Sequence, residues 1–108
     1  MKKPKIIAVD FNGTLVTNKF PSIGDPIDET INTLKAKQLS GAKIILWTCR
    51  VHQQLSEALE WCYAKGINFD AVNENLPEII EAFGSDCRKI FANEYWDDRA
   101  VRIPREGR

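Results

Sequence analysis

VDFNGTLV, residues 9 to 16, begins on the last residue of an apolar run, IIAV (6–9), and passes into a glycine-containing turn. Four consecutive apolar residues ended by a turn read as a short strand buried on both faces, the pattern of a central strand in a parallel sheet. Asp10 then stands at the carboxyl end of that strand. A carboxylate there can be a nucleophile, a metal ligand, or simply a turn or capping residue.

Outward from this stretch the pattern alternates. IILWT, ending at Thr48, repeats the apolar run, and INFDAV (67–72) is a weaker third. Between the first two, DPIDETINTLKAKQLSG (25–41) predicts a helix, with Asp25 as cap, Pro26 in the first turn, and Ile27, Ile31 and Leu34 on one face. Gly41 follows its end. A second helix is expected over 52–65, with Leu55, Ala58, Leu59 and Cys62 on one stripe and Gly66 as terminator. A third runs from Pro77 to Phe83 and stops at Gly84. Strand–helix–strand–helix–strand implies parallel strands joined by right-handed crossovers, an open α/β sheet of Rossmann-like type flanked by helices. Ligands of such sheets bind beyond the carboxyl ends of the strands. Asp10, Thr48 and the pair Asp97-Asp98 all follow apolar runs and so can meet on that edge.

The 108 residues suit one domain, 1–108, with too little chain for a second core. A hydrophobic content of 44 % is that of a folded globular chain. Formal net charge is zero, and the basic residues of MKKPK and RIPREGR are read as solubilising ends, so there is no nucleic-acid signature. No apolar stretch reaches the length of a membrane span, and the basic start lacks a following apolar segment of signal-peptide type. Cys49, Cys62 and Cys87 are odd in number and not closely paired, which predicts a reduced, cytoplasmic protein.

Each candidate residue alone has an ordinary explanation: a capping Asp10, a turn at Gly13-Thr14, a strand-ending Thr48, a solvated Asp97-Asp98. Their order and their shared position at strand ends is more specific. DFNGTLV, ILWTCR and YWDDRA together resemble the haloacid-dehalogenase-like phosphatase superfamily, whose first signature is Asp-x-Asp-Gly-Thr, and the spacing is similar to its small capless bacterial and phage members. The resemblance spans essentially the whole chain. It implies a single catalytic core without a cap domain and a Mg²⁺-dependent phosphatase. Asp10 would accept the phosphoryl group and Thr48 would bond it. Asp10, the Asn12 backbone carbonyl, Asp97 and Asp98 would hold Mg²⁺, directly or through water. The chemistry wants the same residue types. An anionic nucleophile meeting an anionic substrate needs a cation between them. Mg²⁺ takes oxygen ligands, usually including one or two carboxylates. A covalent aspartyl-phosphate splits one difficult displacement into two easier ones. Gly13, with Thr14 in the same turn, lets backbone N–H groups approach phosphate oxygens.

The family pattern places a phosphate-binding lysine at Lys89. One continuous strand from Lys89 to Asp97 would separate them by roughly 26 Å, at about 3.3 Å per residue. The chain is therefore expected to turn around ANE (92–94), leaving only EYW to lead into the aspartates. In active relatives, position 12 is an aspartate that protonates the leaving group and then activates water. An amide does neither. The expectation is a phosphatase impaired by Asn12, whether that residue is engineered, a natural change or partly deamidated. The alternative is a non-catalytic phosphate-binding or regulatory module on the same scaffold.

Only a short flap, about 16–25, follows the first motif. The open site suits a phosphorylated substrate of unknown size, or an oligomer in which a second copy forms the lid. Phe20 and Ile23 on the flap pack on a partner, on substrate or within their own domain. Arg50 is placed to reach a second anionic group or to form a surface ion pair. His52, the only histidine, reads as an exposed helix-start residue, with a second proton donor as the alternative. NENLPE (73–78) is either a specificity loop or the cap of the following helix. No Cys-x₅-Arg, P-loop, dinucleotide fingerprint or zinc spacing occurs.

Overall fold

The computed structural model describes residues 3–104. Strands and helices alternate along it: β1 (Ile6–Val9), α1 (Asp28–Leu39), β2 (Lys43–Leu46), α2 (His52–Ala64), β3 (Ala71–Val72), α3 (Pro77–Phe83) and β4 (Glu94–Trp96). All strands are parallel, in the order β3-β2-β1-β4. The fold is therefore α/β, a four-stranded parallel sheet flanked by three helices. β1 is paired on both sides and all four of its residues are buried, which is why it reads as an unbroken apolar run.

The period of two along β1 and β2 divides the core. Ile7, Val9, Ile44 and Leu46 face one side, with Ile31 and Leu34 of α1 and Ala58 and Cys62 of α2. Ile6, Ala8 and Ile45 face the other, with Leu76, Ile90, Ala92 and the partly buried Ile79 of α3. Each fully buried aliphatic side chain contributes about 1.5–3 kcal/mol over its exposed state. Ala58 and Cys62 are the buried residues of the α2 stripe, with Leu55 and Leu59 packed beside them. Burial pushes the Cys62 thiol up to about 12, leaving it an inert apolar filler.

Three boundaries differ from the sequence expectation, each for a tertiary reason. Asp25 does not cap α1, whose N-cap is Ile27, without a side-chain bond. The Asp25 backbone is instead bound to Thr17: Thr17 N–H donates to Asp25 O and Asp25 N–H to Thr17 Oγ1, both at 2.8 Å. Pro26 bridges Val16 rather than opening the helix. These contacts close the neck of the flap, and Gly24 permits them, since a Cβ there would lie 1.9 Å from Thr17 O. β2 ends at Leu46, because Thr48 N–H is taken by the Asn73 side chain at 2.8 Å. β3 keeps only two residues, since Asp70 Oδ2 rather than a ladder carbonyl receives Ile44 N–H. The chain does turn where expected, and β4 is EYW alone. Among the described residues, no helix is long and apolar enough to cross a membrane.

Candidate functional site

β1 and β4 are neighbours and end side by side, with Asp10 N–H donating to Trp96 O at 2.9 Å. That pairing brings Asp97 and Asp98, the residues after β4, to Asp10. One ligand oxygen from each of the three carboxylates lies within 4.8 Å of the others. Asp10 is half-buried, and Phe11 N–H donates to its Oδ1 at 2.8 Å, leaving Oδ2 without an internal donor among the described residues. Burial raises the Asp10 pKa above the ordinary carboxylate value; the Phe11 N–H opposes this, Asp97 and Asp98 add to it, and Arg99 opposes it.

The turn after Asp10 is built around Gly13, at φ +84. A Cβ there would lie 2.5 Å from Asp98 Oδ2, so glycine is what lets the Asp98 carboxylate approach the turn. The Gly13 and Thr14 N–H groups, expected to approach phosphate, are instead spent inside the turn on Val16 O at 2.7 Å and Phe11 O at 3.2 Å. The buried Thr14 Oγ1 accepts Asp98 N–H at 3.2 Å and ties the aspartate pair to the first loop. Gly13 and Thr14 thus shape the site from beneath. The bonds of this turn use the carbonyls of Phe11 and Val16 and, among the described residues, leave that of Asn12 unspent.

Asp10, Asn12, Thr48 and Asp97 line one cleft of about 700 Å³, together with Phe20, Trp47, Asn73, Arg88 and Arg99 among others. Thr48 Oγ1 accepts Arg50 N–H at 3.1 Å, which leaves the hydroxyl hydrogen free to donate into the cleft.

Arg50 corrects one expectation. It is only 2 % exposed, and its guanidinium is spent internally. Nε donates to Asn12 Oδ1 at 2.8 Å, Nη1 to the carbonyls of Pro21 and Gln54, and Nη2 to that of Ser22. The Phe11 and Phe20 rings lie 4.9 and 5.2 Å from it. It staples the flap and is no surface ion pair, though it also borders the cleft. Burial pushes its pKa down while Glu57 raises it, and a guanidinium stays charged regardless. The Asn12 oxygen must face this donor, which leaves Asn12 Nδ2 buried without a partner.

Lys89 is a second correction. It is exposed and is not among the residues lining the cleft; Arg88 is. Residues 87–92 form no strand, and Ile90 enters the core while Asn75 Oδ1 receives Phe91 N–H, which fixes the local register. Arg88 is held in place by Asn73 O through Nη1 and by Asp86 through Nη2. Asn73, at φ +56, therefore positions both Thr48 and Arg88. Sequence reasoning missed Arg88 and Arg99 as site residues, with adjacency to Lys89 and to Asp98 as the available signal, and reached Asn73 only as the first residue of the possible specificity loop 73–78. His52 is exposed and outside the cleft lining.

A solved structure of a conserved protein from Bacteroides thetaiotaomicron is 41 % identical to this chain, covering 95 % of it and 84 % of that protein, with a TM-score of 0.80. The chain belongs to the family of that conserved protein. Its α/β sheet is thus the fold shared with that protein. No family model matches the chain, and no curated protein matches it.

Proposed function

We propose that the chain is a Mg²⁺-dependent phosphohydrolase core of haloacid-dehalogenase type, acting through an aspartyl-phosphate on Asp10 and slowed by Asn12. The observation that carries this is the convergence of Asp10, Asp97 and Asp98 from the ends of two adjacent strands, with Asp10 and Asp97 lining one cleft with Thr48. The donor set is all oxygen, three carboxylates and a spare backbone carbonyl, which fits Mg²⁺. The space that Gly13 leaves for Asp98 is consistent with a clustered ligand set. Bound there, Mg²⁺ would neutralise charge between the nucleophile and the phosphoryl oxygens.

In the chemistry, an Asp10 oxygen attacks phosphorus, the Asp10–phosphorus bond forms, and the bond to the leaving oxygen breaks. Water then attacks phosphorus and releases inorganic phosphate and free Asp10. The Thr48 hydroxyl donates to a phosphoryl oxygen, and Arg88 supplies the side-chain cation expected of Lys89. The leaving oxygen and the attacking water both need a proton acceptor or donor near Asn12, and its amide offers neither. The three cysteines are free, which suits a reducing cytoplasmic setting.

The test is Mg²⁺-dependent phosphate release from an activated aryl phosphate, comparing this chain with Asn12→Asp. A gain of about 10²–10⁴ is expected from restoring a general acid/base. Peptide mass analysis must show Asn12 intact in the slow form. If both forms are silent while Mg²⁺ binds, the non-catalytic phosphate-binding module replaces this reading.

A further inference from the structure

Phe20 is 59 % exposed, but it is not loosely held. The Arg50 guanidinium carbon lies 5.2 Å from its ring centroid, and the same group donates to the carbonyls of Pro21 and Ser22, the next two residues. A buried cation thus backs the ring and fixes the segment that carries it. A large apolar ring held in place and left in water is unfavourable, whereas a ring already fixed binds a second ring with little further loss of freedom.

The ring lines the same cleft as Asp10 and Thr48, and the partly buried Trp47 lines it too. At about 700 Å³ the cleft greatly exceeds one phosphoryl group. It falls within the range of small-molecule sites, roughly 300–1,000 Å³. Its two other cations differ. Arg88 is engaged by Asn73 and Asp86. Arg99 is exposed and, among the described residues, its side chain makes no hydrogen bond or ion pair. A cleft with a phosphoryl pole, two aromatic side chains and a guanidinium whose donors are unbonded among the described residues has a definite complement.

Resting on the phosphohydrolase reading above, we infer that the substrate is the phosphate monoester of a small planar compound carrying a second negative group, with its ring on Phe20 and its second anion on Arg99. Trp47, lining the same cleft, adds aromatic surface to it. The assignment goes beyond the chemistry at Asp10, which would act equally on any accessible phosphate ester.

The experiment is calorimetric titration of the full chain with Mg²⁺ present. The ligands are inorganic phosphate, phenyl phosphate, the para-carboxy derivative of phenyl phosphate, and phosphoglycolate as a non-planar dianionic control. Phenyl phosphate should bind about tenfold more tightly than inorganic phosphate through ring contact. The para-carboxy compound should gain about fivefold more, and phosphoglycolate should lack the ring step. Phe20→Ala should abolish the first gain with inorganic phosphate unaffected, and Arg99→Gln should abolish the second, read as the ratio of the para-carboxy compound to phenyl phosphate within the same variant. Equal affinity for inorganic phosphate and all the esters would overturn the inference and leave the phosphohydrolase reading standing. So would an Arg99→Gln variant that weakens every ligand alike, since Arg99 would then be a phosphoryl contact. Failure of inorganic phosphate itself to bind would overturn both.

Discussion

A guanidinium that donates to Asn12, Pro21, Ser22 and Gln54 holds together three separate stretches of chain. Lysine cannot replace it, because one ammonium on a flexible stem does not span four acceptors set around a planar fork. Arg50→Lys should therefore destabilise the fold by about 2–4 kcal/mol, read as a lower urea midpoint, with the flap cut more rapidly by protease. An unchanged midpoint and unchanged flap cleavage would show that these bonds are dispensable. The same donor constrains position 12. A carboxylate placed there by Asn12→Asp would face Arg50 Nε and would be held ionised, so the variant should help the water-attack step more than leaving-group protonation. Burst kinetics with an aryl phosphate would separate the two: a reduced burst relative to steady turnover is expected if water attack gains more.

The loop from β3 to α3 and the irregular chain before β4 behave as one element because of Asn75. This buried side chain donates to Asp86 Oδ1 and Cys87 O and accepts Phe91 N–H, so every strong bonding position is used. The Asn75 side-chain amide, then its backbone N–H and then Arg88, hold the Asp86 carboxyl below its ordinary value. A depressed folded pKa means the native state binds fewer protons than the unfolded chain. Its contribution to stability is present above the ordinary carboxylate value, about 3.9, and is lost as pH falls through the lower folded value. Urea midpoints measured across this acid range should fall for the native chain, while Asp86→Asn should show a flatter profile from a lower neutral-pH midpoint. Parallel profiles would remove Asp86 as the cause. Acid should also remove the ion pair of Arg88 with Asp86, leaving its bonds to the Asn73 and Asp86 carbonyls. None of this was legible in NENLPE, which reads equally well as a specificity loop or a cap, because its partners lie more than ten residues away. Where signals are local, the sequence is a good guide: Pro77 and Gly84 bound α3 as expected, and IIAV is the buried central strand. Asp25 misleads because its backbone is bonded to Thr17 and its carboxylate to Lys19, both partners in the flap and not in the helix. Lys89 misleads because residues 87–92 have no period from which to tell which side chain faces the cleft. Convergence of Asp10, Thr48 and the aspartate pair was legible because parallel strands deliver their carboxyl ends to one edge.

Over the whole molecule, formal charge balances at zero, yet three carboxylates gather at one end of the sheet. Burial and then its two neighbours raise the Asp10 pKa, with Phe11 N–H and Arg99 acting against them. A carboxyl whose folded value is raised binds protons more tightly in the native state, so its contribution to stability declines as pH rises through that range. At neutral pH the fold thus gives up stability where the proposed chemistry occurs, a common property of active sites. A divalent cation bound only by the native state would return it: at a hundredfold excess over Kd the gain is about 2.7 kcal/mol, on the order of 10 °C in Tm for a domain of this size. Asp98→Asn separates the two effects, because the Asp98 N–H to Thr14 bond is from the backbone and survives the change. With chelator present, the variant should melt ~2 °C higher than the native chain through relief of like-charge repulsion. With excess Mg²⁺ the order should reverse, as the variant loses most of the metal-induced rise. Thermal melts of both proteins under the two conditions decide the matter. If Asp98→Asn melts lower in chelator and keeps the full response to Mg²⁺, the three aspartates are a solvated surface cluster, and the metal-assisted reading of the cleft fails with them.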